Sequence, residues 1–326
     1  MTRFFFSIST CSVEGFMKKI LVLGGSGFVG HHLCEALNRL NLRVTVPTRH
    51  LPARAIQTLP FVDVIQADVT QEDMLEDLVQ GHDVVINLVA MLHGTPNTFD
   101  RIHVKLATRL ALACVKTGNP HLIHVSALGV DHENFSESPS LYLKSKGQAE
   151  SAMIEVCKHT HTRLSLLRPS VIFAADDQFI NLFASLQKIF PCVPLGCADA
   201  RFQPIWVQDV VSALLALIKS PRPLEALATG TPEIYELGGP QILNLKELVQ
   251  LAGRFVGHER PVISLPLAMA KLQGFVMQNL PGKTLMSLDN VASMQVPNTV
   301  SGNLPGLKEL GVLTPHSLAS VFNPKS

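Results

Sequence analysis

Charge is scarce in this chain. Asp, Glu, Lys and Arg make up 16% of 326 residues, and 27 basic against 26 acidic groups leave a net charge of +1. That balance excludes a basic surface built for nucleic acid, and no acidic tail asks for a basic partner. No run of about 18 uninterrupted apolar residues occurs, so the pattern contains no bilayer-spanning helix. The six cysteines (Cys11, Cys34, Cys114, Cys157, Cys192, Cys197) are scattered rather than closely spaced. A chain of this length needs no disulfide staples, so they read as small apolar residues of a reducing compartment. Repeats and low-complexity tracts are absent.

What is abundant is apolar material. At 47% hydrophobic residues the chain can bury a substantial core, which excludes intrinsic disorder. Its length suits one large domain or two unequal ones at roughly 150 residues each. The opening stretch with Phe4-Phe5-Phe6 is too short for a secretion signal and has no small-residue cleavage site. Met17-Lys18-Lys19 is therefore the expected start of the folded unit, and residues 1–16 are expected to be a disordered extension or a start-site artefact. The expected localisation is cytoplasmic.

Ile20-Leu21-Val22-Leu23 has the all-apolar texture of a parallel strand covered on both faces. A glycine-rich turn follows, and then a helix to about Leu40. Further strands are expected at Leu42–Val46, Val62–Ile65, Asp83–Asn87, His121–Val125 and Leu164–Leu167. Helices are expected between them at Met74–Leu78, from Asp100 to Thr117, and over Tyr142–Cys157. Strands alternating with helices imply right-handed βαβ units, hence an α/β fold with a doubly wound parallel sheet, a Rossmann core. After Arg168-Pro169 the alternation weakens and prolines multiply. The expected division is a dinucleotide-binding core over 17–175, to which 205–240 returns. A smaller, mostly helical substrate or lid region is expected from 176–204 and 241–326.

Gly24, Gly27 and Gly30 sit between that first strand and the first helix, the context in which such spacing cradles a dinucleotide. A side chain at Gly24 would obstruct the tight turn, one at Gly27 would hold the backbone off a pyrophosphate, and one at Gly30 would push the helix off the sheet. The cofactor loop is thus Gly24, Ser26, Gly27, Phe28, Val29 and Gly30, with the helix N-terminus facing the phosphates. The second strand ends Val46-Pro47-Thr48-Arg49 and has no carboxylate for a ribose 2′-hydroxyl. Arg49 can instead fork onto a 2′-phosphate, so NADP(H) is favoured over NAD(H). Asp68 and Val69, ending the third strand, are expected beside the adenine.

Tyr142 is one of only two tyrosines, and Lys146 follows one helical turn later on the same face. A phenol near pKa 10 becomes a usable acid or base when a neighbouring ammonium favours its ionised form.

These segments, together with Asp83-Val84-Val85-Ile86-Asn87-Leu88-Val89-Ala90, His124-Val125-Ser126-Ala127, Arg168-Pro169-Ser170-Val171-Ile172-Phe173 and Pro204-x-Trp206-Val207-x-Asp209-Val210, resemble the extended and atypical short-chain dehydrogenase/reductase superfamily. Within it the likeness is greatest to the nucleotide-binding accessory subunit of respiratory complex I and its bacterial relatives. Val46-Pro47-Thr48-Arg49, Asp177-Gln178-Phe179-Ile180-Asn181 and Gly282-Lys283-Thr284 ahead of Asp289-Asn290 share its texture. The resemblance implies cofactor contacts at Leu88, Val89, Ala90, Lys146 and Pro169, and a substrate-orienting hydroxyl at Ser126. The chain departs from the pattern at Ala174-Ala175, where Gly-Pro is usual, and at His103, where an Asn is usual.

Three function readings follow: an NADP(H)-dependent oxidoreductase acting on a small molecule, with Tyr142, Lys146 and Ser126 catalytic; a non-catalytic NADPH-binding accessory or assembly factor of a respiratory or quinone-related system; and a nucleotide-sugar epimerase or dehydratase. Contact with a respiratory complex, or peripherally with the inner face of a membrane, belongs to the second. No metal site is expected, since His31-His32, His121/His124 and His159/His161 lack companion ligands at zinc-like spacing. The Met-rich stretch Leu265–Leu280 reads as core or as a lid over the substrate cleft; the alternative is an exposed face on a membrane or an apolar ligand. Asp209 is expected to cap a helix.

Overall fold

The computed structural model describes residues 18–71, 74–118, 120–220, 231–279, 284 and 286–322. Residues 1–16 and the Gly282-Lys283 pair lie outside the described residues.

Six strands arise in the first half: β1 (Ile20–Leu23), β2 (Val44–Thr48), β3 (Val62–Gln66), β4 (Val84–Asn87), β5 (His121–Val125) and β6 (Leu164–Pro169). Four short strands follow: β7 (Ile172–Phe173), β8 (Val193–Gly196), β9 (Arg201–Phe202) and β10 (Ile205–Trp206). The last three are β11 (Glu233–Leu237), β12 (Leu243–Asn244) and β13 (Val262–Leu265). The central sheet has seven strands in the order β11-β6-β5-β4-β1-β2-β3. Every neighbouring pair in it is parallel. The order reverses between β1 and β4, which is where a doubly wound sheet opens its crevice.

Successive side chains of a strand point to opposite faces. Ile20 and Val22 therefore join Leu33, Cys34 and Leu37 of the helix Phe28–Arg39 and Val210, Leu214 and Leu217 of the helix Val207–Lys219. Leu21 and Leu23 join Leu110 and Cys114 of the helix Leu106–Lys116 and Ala149, Met153 and Cys157 of the helix Leu141–Cys157. Both faces of the sheet are thus covered by helices, and Cys34, Cys114 and Cys157 are free, buried packing residues. Burial pushes the Cys34 and Cys157 thiols up to about 12, so they stay protonated.

The expected helix Asp100–Thr117 differs in register. It begins as an α-turn at Pro96–Phe99, capped by Thr95, widens to a π-helix over Asp100–Lys105, and resumes as an α-helix over Leu106–Lys116. The π-turn carries His103, a placement typical of functional segments.

A third core, absent from the sequence reading, joins Phe183 and Ala184 of the helix Phe179–Ile189 to Leu248 and Ala252 of the helix Leu245–Phe255. Buried Gln187 ties this region together, donating to Val249 O at 2.5 Å and accepting from Arg260 N at 3.0 Å. Beside it β8 and β13 pair in parallel. The expectation that Leu265–Leu280 forms core is corrected. In the helix Leu267–Gln278 the buried residues are Ala270 and Gly274, because a Cβ on Gly274 would lie 3.1 Å from the backbone of Ser287. Only small residues permit that approach, so Leu267, Met269, Leu272, Phe275 and Val276 are left about half exposed. Among the described residues no helix is long and apolar enough to cross a membrane.

Candidate functional site

At the exit of β1 the chain turns through Gly24, whose φ of +79° is a left-handed conformation natural only to glycine. A Cβ on Gly30 would lie 2.3 Å from Gly24 O and 2.6 Å from Gly25 Cα. The third glycine therefore closes the helix onto the loop itself, rather than onto the sheet as the spacing suggested. Ser26 and Gly27 are exposed, and Gly27 begins the first helix without a side-chain cap. No carboxylate occupies that helix's first turn. The result is a bare positive helix end beside β1 and β4, suited to an anionic diphosphate.

Arg49 projects exposed beyond β2. The Asp68 carboxylate accepts from Thr70 N at 3.0 Å and Thr70 Oγ1 at 2.8 Å. These bonds, followed by the nearby Arg49 and Arg101 guanidinium charges, hold it below the usual carboxylate range. Arg101, on the π-turn, is a basic neighbour of this edge that the sequence reading missed. Val69 does not face it; its side chain packs with Leu75 and Val79 in the second core.

A cleft of about 480 Å³ opens over the carboxyl ends of the strands. Phe28, Val29, Leu88, Ala90, Ser126, Tyr142, Lys146 and Pro169 all line it, bringing most of the expected site residues together. Val89 is the exception on β4's exit: it packs against the second core and donates its N–H to Asn87 Oδ1 at 3.1 Å. The opposite wall comes from the second half of the chain, where Phe179, Phe202, Met294 and Val296 stand among the polar Asp177, Gln178, Asn290, Ser293 and Asn298.

Ser140 and Asp289 fix the start of the helix that carries Tyr142. Ser140 Oγ accepts from Leu143 N at 3.1 Å, and Asp289 accepts from Leu141 N at 2.6 Å and Tyr142 N at 3.0 Å. Lys146 is 1% exposed and donates from Nζ to Val125 O at 3.0 Å. Burial brings its pKa down to about 8, against the raising effect of Glu150 one turn further on. Tyr142 is pushed up to about 12 by burial. That is opposite to the lowering expected from the Tyr-Lys pairing, because desolvating a phenolate costs more than this buried, carbonyl-bonded ammonium returns.

Two histidines absent from the expected site complete it. His103 accepts from Met91 N at Nε2 at 3.0 Å, so its Nδ1 carries the proton and donates to Ser145 Oγ at 2.8 Å. Ser145 in turn donates to Tyr142 O at 2.8 Å. The His103 ring meets Tyr142 edge-on, with centroids 5.7 Å apart. Burial first and the Lys146 charge second bring His103 down to about 3, so it is neutral. His124 is the register partner of Asn87 across β5 and β4, and Asn87 Nδ2 donates to its Nδ1 at 3.0 Å. Its Nε2–H and Ser126 Oγ are buried polar atoms with no partner among the described residues. A polar residue closing each of two adjacent apolar strands was the signal for the Asn87–His124 pair. Open polar atoms, a bare helix end and a loop stripped of Cβ atoms fit a dinucleotide with a polar substrate atom beside it.

Asp209 does not cap its helix, correcting the expectation. Trp206 takes the cap position, and the Asp209 carboxylate accepts from His316 N at 2.7 Å, pinning the C-terminal segment.

The comparisons agree with this geometry. The model of the NAD dependent epimerase/dehydratase family matches residues 20–238. A relative from Arabidopsis thaliana, NADH dehydrogenase [ubiquinone] 1 alpha subcomplex subunit 9, mitochondrial, is 28% identical over 94% of this chain and 76% of its own length. The sterol-4-alpha-carboxylate 3-dehydrogenase, decarboxylating, of Candida albicans is 26% identical over 60% of this chain and 63% of its own. Among solved structures, a nucleoside-diphosphate-sugar epimerase from Staphylococcus aureus superposes with a TM-score of 0.69, at 17% identity over 93% of this chain and 99% of that one. With the family model spanning the whole seven-stranded sheet and its glycine loop, this chain belongs to the NAD dependent epimerase/dehydratase family.

Proposed function

We propose that the chain binds NADP(H) and reduces an apolar carbonyl compound, with Tyr142 delivering the proton, Lys146 holding the nicotinamide ribose and Ser126 orienting the substrate oxygen. The observation that carries this reading is the common cleft: the phenol, the ammonium and an unpartnered hydroxyl face one space whose lining is mostly apolar, with Asp177, Gln178, Asn290 and Asn298 among it. A nicotinamide bound there would supply hydride transfer. Burial pushes Tyr142 up to about 12, so the resting phenol is protonated, and handing its proton to a substrate oxygen would require the bound nicotinamide charge and Lys146 to stabilise the phenolate left behind. Arg49, with Arg101 near the same edge, supports a 2′-phosphate. The Phe179, Phe202, Met294 and Val296 side chains favour an apolar substrate group against that wall.

The second reading, an NADPH-binding accessory factor in which catalysis is lost, is favoured by the likeness to a mitochondrial respiratory subunit over 94% of the chain. On that reading the exposed Leu267, Leu272 and Phe275 lie on the face that would meet a respiratory assembly or the inner surface of a membrane.

Turnover of NADPH against a panel of apolar ketones, quinones and sugar nucleotides, in wild type and Tyr142→Phe, tests the choice. The reductase reading expects oxidation by an apolar carbonyl and a loss of about 10²-fold or more in the variant, with NADPH affinity retained. Turnover that survives in Tyr142→Phe overturns it, and binding without oxidation across the panel supports the accessory reading.

A further inference from the structure

His31 and His32 follow each other on the first helix, where consecutive side chains ordinarily diverge. Here both rings turn to one carboxylate. His31 Nε2 lies 3.2 Å from Asp176 Oδ2 and His32 Nε2 lies 3.2 Å from Asp176 Oδ1, with the ring centroids 4.0 Å apart. Asp176 arrives from the turn beyond β7, 144 residues along the chain, so no local spacing announces it.

The hydrogen bonding of His31 does not close for a neutral ring. Its Nδ1 stands 3.2 Å from Gly27 O, where only an N–H can bond. A neutral ring then directs a lone pair from Nε2 at a carboxylate oxygen. Gln208 Nε2 donates to His32 Nδ1 at 3.2 Å, so His32 carries its proton on Nε2 and donates it to Asp176 Oδ1; a carboxamide flip would move that proton to Nδ1 and free Nε2 for an ion. At His31 a positive species, a proton or a metal ion, belongs between Nε2 and the carboxylate. Metal-bound histidines hold their second nitrogen on a carbonyl or carboxylate in this way. For bond lengths near 2.0 Å the edge of a tetrahedral site is about 3.3 Å, close to the 3.2 Å contacts observed. All three ligand atoms lie within 4.8 Å of one another.

We propose that His31, His32 and Asp176 form a site for a divalent transition-metal ion, zinc being the best match for two imidazoles and a carboxylate, with a further position open to water. The site is distinct from the Tyr142 cleft and independent of the reductase reading. It would clasp the turn that precedes Asp177 to the helix that follows the glycine loop. Asp177 itself accepts from Ile180 N at 2.6 Å and lines the cleft, so the ion would fix one rim of the entrance. Asp176 is half exposed, which leaves a path for the metal.

The test is titration of the chelator-stripped full-length protein with Co²⁺, read by visible d–d absorption, with Zn²⁺ as competitor. The site predicts one Co²⁺ per chain, intense bands of low coordination number, and displacement by Zn²⁺. His31→Gln, His32→Gln and Asp176→Asn should each abolish the bands, Gln208→Ala should weaken binding about tenfold to a hundredfold, and His159→Gln should change nothing. Absence of the bands, or bands that survive Asp176→Asn as adventitious histidine binding would, overturns the proposal. An Asp176-dependent pH titration without metal affinity also overturns it, in favour of a protonated His31–Asp176 pair. NADPH titration of Asp176→Asn is the separate readout: it remains intact if only the metal site is wrong.

Discussion

Between Ile20 and Pro169 the fold is held by strands whose apolar side chains pass alternately to two helical layers, while beyond Ser170 a separate apolar core is tied to that sheet by single polar side chains that reach far along the chain. Asn298 accepts at Oδ1 from Ser170 Oγ at 2.7 Å and from Val171 N at 3.0 Å, and donates to Leu128 O at 3.4 Å. Asp209 holds His316 across 107 residues, and Gln187 holds Val249 across 62. The first kind of cohesion is periodic and spread over many contacts; the second is concentrated in few atoms. The cleft lies on the seam, with Phe28 and Val29 from one half facing Phe202, Met294 and Val296 from the other. The half with the glycine loop is thus held by distributed apolar packing, and the tie between the two halves by a few polar side chains beside the cleft.

The contrast can be broken first in the packed half. Gly30→Val forces a side chain into the loop carbonyl of Gly24 and should cost about 3 kcal/mol, with loss of nicotinamide binding, in denaturation and ligand titration. Unchanged binding would show that the loop relaxes and does not cradle. In the other half, Asn298→Leu strands Val171 N–H and Leu128 C=O and should cost about 2 kcal/mol while leaving NADPH affinity in place. A loss below about 0.5 kcal/mol would remove the distinction between the halves. The smallest effect sits on the seam. The His103 ring takes up a proton below about 3 in the native state but already near 6.5 when unfolded. The unfolded chain therefore binds more protons in that window, and stability falls as pH falls, by about 1 kcal/mol from His103 between pH 6.5 and 5.5. His103→Asn should remove that share of the slope in urea titrations at the two pH values; an unchanged slope would assign it elsewhere.

What the sequence made legible follows the same division. β1 and β4 were readable because burial on both faces leaves continuous apolar runs, β5 and β6 because their short apolar pairs recur between helical segments, and Gly24, Gly27 and Gly30 because sterics act within seven residues. Tyr142 and Lys146 were readable as one turn of helix. Asp289 at the head of that helix was not, since it lies 147 residues from Tyr142. Nor was the helix Phe179–Ile189, whose core partner is the helix Leu245–Phe255. Leu265–Leu280 misled because apolar composition marks burial only when the backbone leaves room, and at Gly274 even a Cβ would crowd the Ser287 backbone at 3.1 Å. The rise in the Tyr142 pKa was likewise invisible, because desolvation depends on what covers the phenol rather than on the lysine four residues away.

The central claim is that the loop at the end of β1 and the arginine beyond β2 hold a phosphorylated nicotinamide dinucleotide. Calorimetric titration of NADPH and NADH into the wild type and Arg49→Asp tests it most directly. The account predicts saturable binding of one nucleotide per chain, tighter for NADPH, with the order reversed in the variant. Failure of the wild-type chain to bind either nucleotide saturably would contradict it.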